Sequence, residues 1–238
     1  MSRLRAGFSG LQRQIGSFGL LTLALLLMML IRPFLDEDGE GGLLTDLLFL
    51  GTFLAGIYAV RRQRYNYRLA IGIASVSLVG RVHLHLSDAE LIPIVVSLSS
   101  LLFLLHALVN VAGYIWTERR RVTHDVIFAA VCAYLLLGLV WAYVYEFLAM
   151  GMPDAFHGPV ATLNRDDFTY FSFVTLATLG YGDIVPMSRP ARALAVIEAV
   201  SGQLYLAILI SRLVGAHVGQ LQKAAPAPRT DPHRHDAP

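Results

Sequence analysis

The sequence predicts an all-α membrane protein with six transmembrane helices and a short re-entrant helix between the fifth and the sixth. Three observations predict it. Of 238 residues 55% are apolar and only 15% charged, with a mean hydropathy of +0.57, whereas a soluble domain carries about 25% charged residues. The charges that remain gather in gaps between long apolar runs, which marks membrane embedding rather than a large core. The gaps alternate between arginine-rich and acidic.

Six runs reach the roughly 20 residues that cross a hydrocarbon core at about 1.5 Å each. They lie near 15–32, 43–60, 68–86, 91–110, 124–149 and 189–215. The first is read as a retained helix rather than a signal peptide. Arg3, Arg5 and Arg13 do precede it, but Arg32-Pro33-Phe34-Leu35 and an acidic stretch follow, with no small-x-small cleavage site. One set of connections holds Arg3, Arg5 and Arg13, then Arg61, Arg62, Arg64 and Arg68, then Arg119, Arg120 and Arg121. The opposite set holds Asp36, Glu37, Asp38 and Glu40, then Asp88 and Glu90, then Asp154, Asp166 and Asp167. The positive-inside rule puts the first set and both termini in the cytoplasm. Tyr114, Trp116, Trp141, Tyr143 and Tyr145 sit toward span ends, where interfacial anchors belong.

The domain plan that follows is a cytoplasmic N-terminus at 1–14, a four-helix transmembrane domain with a cytoplasmic linker at 15–123, a second membrane unit at 124–215 and a disordered cytoplasmic tail at 216–238. The linker is expected as an amphipathic segment from Asn110 to Thr123. The tail is rich in Pro, Ala and charge and cannot build a core. No stretch is long enough for a cytoplasmic ligand-binding domain. The net charge of +2 is too small to suggest nucleic acid, and the single cysteine, Cys132, allows no intrachain disulfide and reads as a small buried hydrophobe. All 19 basic residues except Lys223 are arginine, a compositional hint of a GC-rich prokaryotic gene and so of a bacterial plasma membrane.

The chemistry concentrates between the last two spans, in the run NRDDFTYFSFVTLATLGYGDIVP at 164–186. Its first half, 167–177, suits a helix too short to span. Asn164 is placed to cap it, and Asp166 and Asp167 fall in the first turn, where a helix favours acids. The second half, Thr178 to Asp183, cannot be helical, with two glycines in three positions. Non-helical backbone at membrane depth is tolerated only when buried in protein or lining a water-filled path. A half-helix whose partly negative C-terminal end points to the membrane middle stabilises a cation there.

The stretch Thr175-Leu176-Ala177-Thr178-Leu179-Gly180-Tyr181-Gly182-Asp183 resembles the signature of the potassium channel superfamily, with leucine where valine is commonest. The resemblance covers roughly 124–215 and identifies that unit as a pore domain of outer helix, pore helix, filter and inner helix. It implies transport rather than catalysis, a homotetramer in a lipid bilayer, and potassium ions as the conducted species. It also implies that the carbonyls of Thr178, Leu179, Gly180 and Tyr181, with the Thr178 hydroxyl, coordinate dehydrated potassium, an architecture that is itself a standard example of filter design. Gly180 and Gly182 permit the backbone angles required. Tyr181 is expected to pack outward on Tyr170 and Phe171 of the pore helix, with Thr175 in support, and Asp183 to attract cations at the outer mouth. Gly202, twenty residues beyond Gly182, matches the family's hinge glycine or serves as a packing glycine.

Charges inside or near spans need partners. Glu146 is read as solvated near the outer interface. Glu198 is read as hydrogen-bonded behind the pore helix, in protonated form if so. Asp46 and Arg81 are placed to pair or to snorkel, and His106 to make a hydrogen-bonded helix contact. The fourth span, LIPIVVSLSSLLFLLHALVN, holds no arginine or lysine, so weak or absent voltage gating is expected. Three other readings stay open: the pore subunit of a potassium uptake transporter, a non-selective cation channel, and a membrane sensor using Arg81, His83, His85, Asp88 and Glu90. Transporter chains usually carry four degenerate filter loops and non-selective filters usually lose the Gly-Tyr-Gly tyrosine, whereas this chain has one intact run.

Overall fold

A computed structural model describes residues 2–35, 42–60, 64–84, 91–117, 124–159 and 163–224. Seven α-helices account for nearly all of them: α1 Ser2–Leu35, α2 Gly42–Val60, α3 Arg64–Leu84, α4 Leu91–Thr117, α5 His124–Gly151, α6 Arg165–Leu176 and α7 Arg189–Ala224. The clusters Asp36 to Glu40, Arg61 and Arg62, His85, Asp88 and Glu90, Arg119 to Arg121, and the tail from 225 lie outside the described residues.

Six long helices and one short one therefore stand where the apolar runs predict them. Four are long and apolar enough to cross a membrane: Ser17–Leu35, Leu91–Thr117, His124–Gly151 and Arg189–Arg212. The apolar stretch of α2, Leu44–Ala59, is shorter, and α3 is diluted by Arg64, Arg68 and Arg81. Three boundaries differ from expectation. The first helix begins at Ser2, well ahead of the apolar run at 15–32 that it contains. Residues 110–117 continue α4 instead of forming a linker, because Val111 and Ile115 keep the helical spacing of its buried face. And α7 runs past Gly215 to Ala224, so the tail starts later than its composition suggested.

The helices pack around α5. α1 and α4 lie against it, α2 against α1 and α3 against α4, while α6 sits on α5 and touches α7. One core joins the first five helices: Leu21, Leu25, Phe103, Val111, Cys132 and Leu136 of α1, α4 and α5, all with 1% exposure or less, with Phe49 and Phe53 of α2 and Ala70 of α3. Within a bilayer such association rests on close packing and interhelical hydrogen bonds rather than on the hydrophobic effect. Both are present. Ser77 donates to Ser99 across α3 and α4 at 2.8 Å, and Thr22 of α1 reaches the Phe128 carbonyl of α5 at 3.2 Å. The His106 ring meets Asn110 one turn on at 3.2 Å, the helix contact expected of it.

A second core lies at the other end of α5, where Tyr145, Phe156, Phe168 and Phe171 form an edge-to-face aromatic cluster joined by Ile184. It sits beneath a feature the sequence did not announce. Two-residue strands β1 (Phe156–His157) and β2 (Val185–Pro186) pair antiparallel. Met187 and Ser188 extend the tie by donating to the Ala155 carbonyl at 2.8 and 3.2 Å. This clip brings the segment before α6 against the segment after 183. Tyr143 and Tyr145 are 1% and 0% exposed and so are interior residues, not interfacial anchors; Trp116, at 60%, keeps an anchor's exposure.

Candidate functional site

The site is built on α6, and each end of that helix has a cause. At its start Asn164 Oδ1 accepts from the Asp166 and Asp167 amides at 2.7 and 3.1 Å, while Asp167 Oδ2 accepts from the Asn164 amide at 2.8 Å. That reciprocal box satisfies three otherwise orphan donors. At its end Leu179 N–H bonds the Val174 carbonyl at 2.8 Å and Thr178 N–H the Thr175 carbonyl at 3.0 Å. This paired arrangement is the Schellman motif, which needs a left-handed residue just past the cap. Thr178 occupies that place with φ 57°. A β-branched residue there is strained by about 1–3 kcal/mol, and glycine is the usual solution.

Left-handed backbone then recurs at Gly180 (φ 61°) and Gly182 (φ 80°), with Leu179 and Tyr181 between them on the ordinary side. Alternating hand directs successive peptide N–H groups to one side of the strand and carbonyls to the other. Only glycine adopts such angles freely. The run is open to solvent in the single chain, with Leu179 57% and Tyr181 68% exposed. Gln203 of α7 approaches Thr178 Oγ1 at 3.4 Å.

Tyr181 stacks on Tyr170 with centroids 6.4 Å apart and planes 7° from parallel. Tyr170 Oη in turn donates to Asp183 Oδ2 at 2.6 Å, and Asp183 Oδ1 accepts from the Ile184 amide at 3.0 Å. The Tyr170 bond holds the Asp183 carboxyl below its ordinary range and pushes the Tyr170 phenol up to about 12. Phe171 does not join this group. It points the other way from α6, 5% exposed, against Tyr145 at 5.0 Å and Phe156 at 5.5 Å. Successive helix residues lie about 100° apart, so Tyr170 and Phe171 cannot share a partner on one side. Thr175 contributes its carbonyl to the cap.

Beneath the strained run, α7 passes close to α6. A Cβ at Gly202 would lie 2.4 Å from the Leu176 carbonyl oxygen, so a close approach of backbones requires glycine here. One turn earlier Glu198, 0% exposed, meets Tyr145 Oη at 2.5 Å and Ser172 Oγ at 2.5 Å. The residue spacing is the same on both helices: 198 and 202 oppose 172 and 176.

The α6 N-terminus is tied to the first five helices by two guanidinium groups. Arg165 Nε donates to both Glu146 oxygens at 3.2 and 3.0 Å, and its Nη2 to Glu146 Oε1 at 2.8 Å and to Ser97 of α4 at 2.6 Å. Its guanidinium also covers the Tyr143 ring at 4.7 Å. Arg32 of α1 pairs with Asp166 at 3.1 Å. Glu146 is thus an ion-pair partner with 12% side-chain exposure rather than a solvated carboxylate. Asp46 and Arg81 do pair, at 3.6 Å, with Arg81 flat on Phe49 at 3.4 Å. Sequence does not single out Ser172 or Arg165, and it marks Tyr145 and Arg32 only as a span-end anchor and as the end of the first run. A lone hydroxyl within the apolar run Phe171-Ser172-Phe173 was the one signal available for Ser172.

No group of three or more metal-ligating side chains occurs among the described residues. Apart from the phenol of Tyr181, whose ring stacks on Tyr170, the oxygens of the run 178–182 are backbone carbonyls and the Thr178 hydroxyl, a hard donor set.

Residues 129–217 match a family model described as an ion channel. Over 84 residues the chain is 39% identical to the two-pore potassium channel 4 of Arabidopsis thaliana, covering 35% of this chain and 29% of that protein. Over 110 residues it is 30% identical to Protein LctB of Bacillus caldotenax, covering 42% of this chain and 81% of that one. The chain thus spans less than a third of the plant relative's length and most of the bacterial one's. No solved structure matches the chain.

Proposed function

The chain belongs to the ion-channel family, and on that premise we propose that it is one subunit of a homotetrameric, potassium-selective channel that conducts dehydrated potassium passively. The observation that carries this reading is the alternation of backbone hand at Thr178, Gly180 and Gly182, directly after a capped half-helix. Four such strands around an axis replace a cation's water shell with rings of carbonyl oxygens from Thr178, Leu179, Gly180 and Tyr181. Potassium is the cargo of these sites.

Four-fold assembly is supported by what one chain leaves uncovered. The run 177–183 is exposed, and α7 presents Val196, Ile197, Val200, Leu204 and Ile208 unburied on several sides. One strand of carbonyls cannot surround an ion, so copies must close the ring. In this assembly α7 is the inner helix, α5 the outer helix and α6 the pore helix, with Asp183 at the outer mouth. The full layout is six spans in a bacterial plasma membrane with both termini cytoplasmic. It includes α2 and α3, whose Asp46–Arg81 pair lets α3 carry a charge near the outer end. Gly202 is a hinge candidate or a packing glycine, and its close approach to the Leu176 carbonyl supports the packing role.

The test is recording of the purified protein in bilayers with potassium and sodium on opposite sides. A reversal potential near the potassium equilibrium value supports the reading, and one near zero makes the pore non-selective. Saturable coupled flux without unitary steps assigns the chain to uptake. Gly180→Ala places a Cβ on a residue at φ 61° and should abolish or de-select conduction; unchanged selectivity removes the basis of the assignment.

A further inference from the structure

Three short contacts meet behind α6, and they need three protons. Tyr145 Oη lies 2.5 Å from one Glu198 oxygen, Ser172 Oγ lies 2.5 Å from the other, and the same Ser172 Oγ lies 2.7 Å from the Gly138 carbonyl of α5. Tyr145 and Ser172 hold one hydroxyl proton each, whereas an ionised carboxylate and a carbonyl hold none. Two protons cannot fill three bonds. Sharing the serine proton between two acceptors would give long, bent interactions, not separations of 2.5 and 2.7 Å. A carboxylic acid at Glu198 supplies the missing proton. Glu198 then donates to Ser172, Ser172 donates to Gly138, and Tyr145 donates to the remaining carboxyl oxygen.

The surroundings agree with the proton count. Glu198 is fully buried, and the ion pairs among the described residues do not include it. A buried carboxylate without a cation is costly enough that the group takes up a proton instead. From α5 the titratable groups facing it are Tyr145 and, further off, Tyr134. α6 offers only the Ser172 hydroxyl, since Arg165 is bound to Glu146 at the far end. β2 offers no titratable group, and Arg192 on α7 is turned to the Pro186 carbonyl.

We propose that Glu198 is a positioning residue that works as a neutral acid, fixing α7 to α6 through Ser172 and to α5 through Tyr145, and so setting the height of the α6 C-terminus beneath residues 178–183. The inference rests on the channel reading for its consequence but not for its protonation. Ser172 is one turn from Leu176, whose carbonyl already abuts Gly202. The acid and the glycine therefore hold the same turn of α6. Ionisation leaves Ser172 with two acceptors and one proton, and the link to Gly138 or to Glu198 is lost.

The experiment uses the full chain reconstituted in liposomes. An infrared difference spectrum between wild type and Glu198→Gln at neutral pH should contain the carbonyl stretch of one buried carboxylic acid, lost on raising the pH. Its absence overturns the proposal, whether or not the protein conducts, so failure here is separable from failure of the channel reading. Glutamine presents one N–H toward Ser172 and one carbonyl toward Tyr145, like the neutral acid. Glu198→Gln should therefore keep wild-type potassium selectivity, and keep it at the alkaline pH at which ionisation of Glu198 is expected to lower it in wild type. Ser172→Ala should lower the potassium-over-sodium ratio about tenfold, the factor one buried hydrogen bond is worth. A Glu198→Gln ratio as low as that of Ser172→Ala also overturns it.

Discussion

Tyr170 serves two neighbours at once: its ring stacks on Tyr181 and its hydroxyl, 2.6 Å from Asp183, ties the residue after Gly182 back to α6. The strained strand 178–182 is thereby held at both ends by α6, through the cap bonds at Thr178 and Leu179 and through this side-chain bond beyond Gly182. A strand with three left-handed residues has no ladder of its own to hold it, so these ties decide its shape.

The pH dependence of that tie follows from its two members. Asp183 is held below its usual range, so its contribution is present above the unfolded value and disappears only as pH falls through the lowered one; Tyr170, pushed up to about 12, keeps its proton until strongly alkaline pH. The bond should span the whole neutral range. Tyr170→Phe keeps the ring and removes the first cause of Asp183's shift. External acid should then reduce current at a higher pH than in wild type, toward the ordinary carboxylate range. Current–pH curves that superimpose for the two proteins would show that Asp183 does not sense Tyr170.

Gly202 separates two accounts of the inner helix. A hinge glycine replaced by alanine should lower open probability and leave the reversal potential alone. A packing glycine replaced by alanine drives a methyl into the Leu176 carbonyl, 2.4 Å from the new Cβ, with an overpacking cost of about 1–3 kcal/mol. Because Leu176 immediately precedes Ala177, the C-cap of α6 from which the run 178–182 leaves, the structure favours the second outcome. Gly202→Ala should shift the reversal potential toward zero, and recordings in mixed potassium and sodium measure it.

Arg165 and Glu146 link α6 to α5 through a bidentate, largely buried pair, at 17% and 12% side-chain exposure. Removing one member leaves the other charge without its partner, an effect of about 3–5 kcal/mol for a buried pair. Arg165→Met or Glu146→Leu alone should lower the thermal midpoint in detergent sharply. The double replacement should recover much of the loss, because no charge is then stranded. Equal losses for the double and the worse single variant would mean that the Ser97 and Tyr143 contacts of Arg165 matter more than the ion pair.

How much of this was legible in the sequence depends on the range of the interaction. Helix positions, the Asn164 cap and the non-helical Thr178 to Asp183 run follow from local pattern. The partners of charged residues do not: Glu146 reads as an interfacial acid until Arg165, nineteen positions later, is brought onto the same side by the α5–α6 turn. The resemblance implies one role for Tyr170 and Phe171, packing on Tyr181, yet neighbours on a helix face different ways. The two-residue β clip lacks any period to detect. Thr178 is a case of conflict between levels, a strand former in a glycine's conformation, and such conflicts collect at functional sites.

Membrane voltage should have little hold on this channel. Moving one elementary charge through the whole field is worth about 2.3 kcal/mol per 100 mV, and steep gating takes roughly three or four arginines on one helix of each subunit. α4 contains none. Three arginines on the long helices are engaged: Arg81 with Asp46 and the Phe49 ring, Arg32 with Asp166, and Arg212 with the Ile115 carbonyl at 2.6 Å. Each would have to leave a carboxylate or a carbonyl to cross the field, and the paired charges largely cancel in place. The conductance–voltage relation in symmetrical potassium, fitted for effective gating charge, should give well under one unit per subunit. A value of several units that falls in Arg81→Gln would identify α3 as the moving helix; one that falls in Arg119→Gln or Arg120→Gln would place the sensor at the end of α4. Either result would mean that the first four helices respond to voltage after all, through a helix other than the one the six-span layout designates.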